Sequence, residues 1–325
     1  MLPVLSLLSM LSVLSQESSK PAVRIVPCRP VRLLVTNDLD TEVSIAGVSQ
    51  QSLRIGVEWE LELEHVGKTE SGSLEFDVHI VHTCGEIQAP LGGSIPFDSD
   101  EEEGVNPGLT NLDPLVQQMR MLAGHTVKVF VTPTGRVESV RGYAAIFEGK
   151  PIEKVLKAIG DPLTDEGFLP EMQALFAHLP EADDVEASSW VTSYPYRVFS
   201  DPIDFSPRIQ VVESNADTLR LRFGTVARDD TGDQEVGTSP AAFTSKADVR
   251  SASLRGESVV SREDGLVLRN ALEFVVEVGM PNPATGGSLP TVVKQRIEVR
   301  REKALPPAEA PPGRSSGRQA GNGDR

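Results

Sequence analysis

Residues 53–66 read LRIGVEWELELEHV, and this stretch decides the fold class. Val57, Trp59, Leu61 and Leu63 alternate with Glu58, Glu60, Glu62 and Glu64. Successive side chains of a strand point to opposite faces, so a period of two gives one apolar face and one acidic face. Four glutamates in a row repel one another unless neighbouring strands supply cations, which places that face in water. After a turn at Gly67 to Gly72, Leu74, Phe76, Val78 and Ile80 alternate with Glu75, Asp77 and His79. Two such runs joined by a short polar loop predict an antiparallel hairpin with one side on the core.

Toward the N-terminus, Val31 to Val35 reads as a strand, Asn37-Asp38 as a turn and Thr41 to Val48 as a second strand. Residues 85–111 carry scattered glycines and prolines and the acidic run Asp98 to Glu103, which predicts a long surface loop. The next stretch, DPLVQQMRMLAGHTVKVFVTPTGRVESVRG at 113–142, is the best punctuated in the chain. Asp113 is placed to cap a helix with Pro114 at its first position, and Leu115, Val116, Met119 and Leu122 form its apolar stripe. Gly124 ends that helix, and Thr134-Gly135 turns between two short strands. Two more short helices are expected, one opened by Pro151 and one by Pro170 with Met172, Leu175, Phe176 and Leu179 inward. From Ser188 the pattern is strand-like again, ending in three long strands near 247–261, 266–278 and 292–300.

The expected fold is therefore β-rich α+β: long antiparallel strands in one large curved sheet or incomplete barrel, with three short helices inserted near the middle. Residues 31–302 form one domain, or two similar halves, 31–142 and 188–302, around a helical insert at 143–187. Residues 16–30 read as a leader segment, and the proline- and glycine-rich 303–325 as a disordered tail. Residues 1–15, MLPVLSLLSMLSVLS, have the length of a signal-peptide core and are too short for a membrane span. The chain is expected to be exported, periplasmic or extracellular. It has no lipobox, because Cys28 lies well downstream in VPCRP. The formal net charge of −16 disfavours nucleic acid and anionic lipid as partners.

The segments ending in LELEHV, LAGHTVKVFVTPTGRVESVRG, LPEADDVEASSWVTSYP and LRGESVVSREDGLVLRNALEFVVEV resemble a bacterial family of exported proteins, the domain-of-unknown-function group numbered 6263, common in planctomycetes. The resemblance runs from about Arg32 to Arg300. It implies an exported β-rich protein and carries over no catalytic residue.

Candidate sites are few. His79, His82 and Cys84 are metal-ligating residue types, but strand alternation points His79 opposite to His82 and leaves only His82 and Cys84 on one face, so no metal site is expected. The acidic run lacks the spaced ligands of a calcium loop. Glu60 and Glu62 read as solvated carboxylates rather than a glycosidase pair, and no motif for a nucleophile or nucleotide is present. Cys28 and Cys84 either close one disulfide or remain two partly buried thiols. Trp59 and Trp190 are core anchors or walls of a ligand cavity. The expected function is non-catalytic, without cofactor: an apolar small molecule or an envelope component held in the concave side of the sheet. The alternatives are an interaction scaffold with a filled core and an undetected hydrolase.

Overall fold

Period-two alternation governs most of the chain. In the computed structural model the described residues are 23–45, 48–88, 93–101, 113–150, 153, 163–180, 189–198, 201–225, 243–245, 249–281 and 288–302. Strands β1 (Val31–Ile45), β2 (Val48–Lys68), β3 (Leu74–Gln88) and β4 (Ser94–Asp98) precede helix α1 (Asp113–Leu122). Then come β5 (Thr126–Val131), β6 (Val137–Arg141), α2 (Tyr143–Phe147), a 3-10 turn at Asp165–Phe168 and α3 (Leu169–Gln173). The second half contributes β7 (Ser189–Val191), β8 (Tyr194–Val198), β9 (Asp201–Phe205), β10 (Pro207–Ser214), β11 (Thr218–Thr225) and β12 (Phe243–Ser245). The chain closes with β13 (Val249–Ser261), β14 (Val267–Pro281) and β15 (Ser288–Arg301).

Twelve strands form one open sheet in the order β6-β5-β3-β2-β1-β15-β14-β13-β11-β10-β7, with β4 paired to β3. The chain winds outward from β1 to one edge, crosses through the helices, and winds back from the other edge to β15. Its first and last strands meet in the middle, antiparallel, from Leu33 opposite Arg301 to Val43 opposite Thr291. The segments 31–142 and 188–302 thus share one continuous sheet. A second, three-stranded sheet, β12-β9-β8, joins the helices over the inner face. Tyr196 stacks on Phe274 of β14 with ring centroids 4.4 Å apart, and Phe205 packs beside both.

Residues 23–26 show that the sheet is strongly curved. In a flat sheet the β5–β6 turn and the β13–β14 turn would lie six strand spacings apart, roughly 29 Å. Yet the Ile25 N–H donates to Pro133 O at 2.9 Å, and the adjacent Val26 N–H donates to Asp264 O at 3.1 Å. Consecutive Cα atoms are only about 3.8 Å apart, so the two turns must curl toward each other. Val23 and Ile25 are buried in the core, and the Arg24 guanidinium donates to Pro180 O. This part of the expected leader is a strap that closes one end of the molecule.

Several expectations need correction. Residues 31–45 are one strand with no turn at Asn37-Asp38: Asn37 stays in the ladder, opposite Val57 and Ile297. The predicted loop at 85–111 begins later, because β3 runs on to Gln88 and β4 pairs back onto it from Cys84–Asp98 to Gln88–Ser94. Helix α2 lies outside the expected helices. The signal segment, the helix expected after Pro151 (Glu153 apart), the tail and the capping side chain of Asp113 all lie outside the described residues. The helix expected after Pro170 stops at Gln173, yet Met172, Leu175, Phe176 and Leu179 are all buried as its stripe predicts.

Candidate ligand-binding site

The closed end is filled. Phe76 of β3 and Phe176 after α3 meet with centroids 5.4 Å apart, and both are fully buried. Gln173 serves two elements here, accepting from the Val137 N–H at 2.8 Å and donating to Gly135 O at 2.9 Å. Gly135 has φ +87°, and a methyl on it would run into the Ala177 carbonyl. Its turn therefore needs glycine for conformation and for clearance. Gly124 has φ +77°, and its N–H donates to Ile80 O at 2.7 Å, which fixes the end of α1 to β3.

Away from the strap, the same inner face borders a cavity of about 360 Å³. Its floor comes from Asn37, Leu39 and Thr41 of β1, the inward residues of β2 from Leu53 to Trp59, and Val293 and Gln295 of β15. Leu115, Gln118, Met119 and Leu122 of α1 cover it, with Tyr143 and Phe168 beside them and Tyr196 and Val198 as a wall. Tyr143 and Phe168 are stacked at 4.3 Å, and Trp59 meets Phe168 edge-on at 6.2 Å.

The polar groups of this cavity are few and fixed. Gln295 Nε2 donates to Asn37 Oδ1 at 2.8 Å, which ties these two amides together. Gln118 Nε2 donates to the Tyr143 hydroxyl at 3.0 Å, which leaves Gln118 Oε1 buried and without a partner. The indole N–H of Trp59 is also buried and unpartnered. Each such group costs about 1–3 kcal/mol if nothing supplies the missing bond. The charged side chains bordering the cavity are Glu171 and Arg197, opposite in sign.

The structure separates the sequence candidates. Trp59 lines the cavity. Trp190 lies in β7 at the sheet edge, opposite Ile209, half-buried against the core and away from the cavity. Cys28 and Cys84 are free thiols rather than a disulfide, and they occupy different surroundings. Cys28 is near Asp264 and Arg301, while Cys84 faces Glu58 across the β2–β3 ladder; burial first, then nearby carboxylates, pushes both thiols up. Glu62 is paired with Arg32 at 2.8 Å. Gln118 also lines the cavity, although as a polar residue it stood outside the apolar stripe of α1. It lies three residues after Leu115 and four before Leu122, so helical spacing already put it on the apolar face.

The reading of His79 and His82 is reversed. Glu60 pairs with His82 and Leu61 with Ile80, so Val81 is an extra residue, a β-bulge. The bulge flips the alternation and brings His79, His82 and Cys84 to the same outer face. His82 Nε2 lies 2.8 Å from Asp98 Oδ1. This bond raises the His82 pKa above the ordinary histidine value, whereas the Asp100 N–H, and then His82, hold Asp98 below the usual carboxylate value. At the closed end, His178 is buried beside Tyr194, and desolvation, with a smaller effect of Arg136, lowers its pKa to about 4.

No family model matches the chain, and no curated protein matches it by sequence. Among solved structures, a lipovitellin described for its lipid–protein interactions aligns with TM-score 0.45 and 11% identity, over 88% of this chain and 26% of that one. The chain thus spans about a quarter of that protein's length. DynF from the dynemicin biosynthesis pathway of Micromonospora chersina aligns at TM-score 0.20 and 9% identity, over 89% of this chain and 88% of that one. A protein of the domain-of-unknown-function 1329 family from Desulfovibrio piger gives TM-score 0.17 and 10% identity, over 85% and 88% of the two chains. Among the described residues, no helix is long and apolar enough to cross a membrane.

Proposed function

We propose that the chain is a non-catalytic binding protein that holds a small, largely apolar molecule between the sheet and α1. The observation that carries this reading is a largely apolar cavity whose lining includes Trp59 and Gln118, with Trp59 Nε1 a buried donor and Gln118 Oε1 a buried acceptor that lack hydrogen-bond partners. Its volume of about 360 Å³ lies at the small end of ligand pockets, which span roughly 300–1,000 Å³. An apolar body contacts Leu39, Leu53, Ile55 and Met119, and a hydroxyl would bond Trp59 Nε1 or Gln118 Oε1 once the side chain turns that buried atom toward the cavity. The ligand class is therefore an aliphatic or aromatic molecule with one neutral polar group. The apolar run at 2–14 and the resemblance to the exported domain-of-unknown-function family 6263 support a role outside the cytoplasm.

The test is a titration of the full chain with N-phenyl-1-naphthylamine, a neutral apolar fluorophore, followed by competition with a long-chain alcohol and the alkane of equal length. Saturable binding is expected, with the alcohol the better competitor. Val57→Trp, which fills the cavity from its floor, should abolish binding while the strand circular-dichroism signal is kept. Unchanged binding in Val57→Trp, or equal competition by alkane and alcohol, would overturn the reading.

A further inference from the structure

On the outer face, across the sheet from the cavity lining, two sequence features that read separately come together. The first is the histidine-bearing part of β3, and the second is the start of the acidic run. His82 Nε2, a carboxylate oxygen of Asp98 and one of Asp100 all lie within 4.8 Å of one another. The imidazole nitrogen is 2.8 Å from Asp98 Oδ1 and 3.9 Å from Asp100 Oδ2. Ligand atoms at 2.0–2.2 Å around a tetrahedral ion stand about 3.3–3.6 Å apart, so these separations bracket a coordination shell.

The backbone holds this arrangement. Thr83 N–H donates to Ser99 Oγ at 3.1 Å, and Ser99 N–H donates to Thr83 O at 2.8 Å, which fastens the corner after β4 onto β3. The Asp100 N–H donates to Asp98 Oδ1 at 2.8 Å and orients that carboxylate independently of the histidine. The bulge at Val81 aims the imidazole at the corner. In ladder register, Glu60 lies across from His82 and Cys84 across from Asp98, so both share this outer face. Among the described residues, His82 is the one cation-forming side chain in ion-pair range of Asp98 and Asp100. Asp98, Asp100 and Glu60 around one imidazole outnumber the Arg120 guanidinium that also acts on Asp98, and the excess of negative charge is one that a divalent cation neutralises. A mixed nitrogen and oxygen donor set suits zinc-class ions; calcium takes six to eight oxygens.

We propose that His82, Asp98 and Asp100 bind one divalent transition-metal ion of the zinc class, with water or Glu60 completing the shell. The ion would pin the β3–β4 corner where the chain leaves the sheet toward α1.

The test is equilibrium dialysis of the full-length protein against zinc chloride, with cobalt(II) as an absorbing substitute. One zinc per chain is expected, with a visible cobalt spectrum of four- or five-coordinate type. His82→Gln and Asp100→Asn should each weaken binding by at least about tenfold, since ligand loss costs no less than loss of an outer partner. Both side chains are at least partly exposed, so the variants should fold, as a circular-dichroism melt will verify. His79→Gln, on the same face but outside the cluster, should leave affinity unchanged, and calcium should bind at least about tenfold more weakly. The proposal is overturned if zinc does not saturate at one per chain. It is equally overturned if both ligand variants bind like the parent, if calcium competes equally, or if Cys84→Ser abolishes binding that His82→Gln leaves intact.

Discussion

The two ends of the curved sheet are made from the same alternating strands, yet one is packed solid and the other borders a cavity. At the strap end the inner face is covered by residues that come close enough to touch backbone: Ile25 on Pro133, Gln173 on Gly135 and Val137, Asn270 Nδ2 on Ala174 O at 2.7 Å. At the other end the cover is a ten-residue helix and the rings of Tyr143 and Phe168. A sheet face is neutral between a core and a binding site; what lies across it decides. Long inward side chains met by a tight strap give a core, whereas a short helix held away by aromatic rings leaves room.

Five perturbations test this contrast, and the largest effects should fall at the strap end. Phe76→Ala removes a fully buried ring from the Phe176 contact and should cost about 3–5 kcal/mol in urea unfolding. Gly135→Ala, which forces a side chain into a left-handed turn against Ala177, should cost at least about 3 kcal/mol. If either proves near-neutral, that end is not the rigid one.

Acid should weaken the same end. The unfolded chain takes up a proton on His178 near pH 6.5, and the folded state resists until about pH 4. The folded protein therefore loses stability as pH falls from 6.5 toward 4, by about 3 kcal/mol in all. His178→Gln should remove most of that slope. Glu257, Glu273 and Glu298, held low first by hydrogen bonds from Arg220, Arg255 and Arg300, lose their contribution only as pH falls below about 4.5. His82 has the opposite sign: its bond to Asp98 stabilises at low pH and fades as pH rises through its raised pKa.

The smallest effects belong to the cavity. Leu53→Ala, at a half-buried floor position, should cost below about 1 kcal/mol, because the site already borders open space. Trp59→Phe keeps the ring contact with Phe168 and removes the unpartnered N–H. It should leave stability within about 1 kcal/mol of the parent, or raise it, while weakening the alcohol in the competition titration. A large loss of stability in either variant would mean that the cavity end is packed as tightly as the other.

The alternation from Val57 to Glu64 already assigned Trp59 to the inner face, and the spacing of Leu115, Gln118 and Leu122 put Gln118 there too. That these two residues border one cavity was not legible, because β2 and α1 meet only after β3 and β4 have been placed between them. The bulge at Val81 was hidden for a similar reason. Nothing in VHTC distinguishes an even ladder from one with an extra residue until Leu61 and Glu60 select partners on either side of it. The error about His79 and His82, and the missed meeting of His82 with Asp98, both follow from that one residue.

By itself the sequence determined which side of each evenly paired strand is apolar, where the hairpins of 53–80 and 209–226 turn, and where the glycines at 124 and 135 are needed. These are local properties, set by side-chain alternation and backbone sterics over a few residues. Only the tertiary structure decided that β1 pairs with β15, that the sheet curls until Ile25 and Val26 bridge two distant turns, and that the face carrying Trp59 stays open. Those outcomes depend on hydrogen bonds and packing between segments from dozens to more than two hundred residues apart. Every strand offers the same ladder of donors and acceptors, and its pattern does not name its partner.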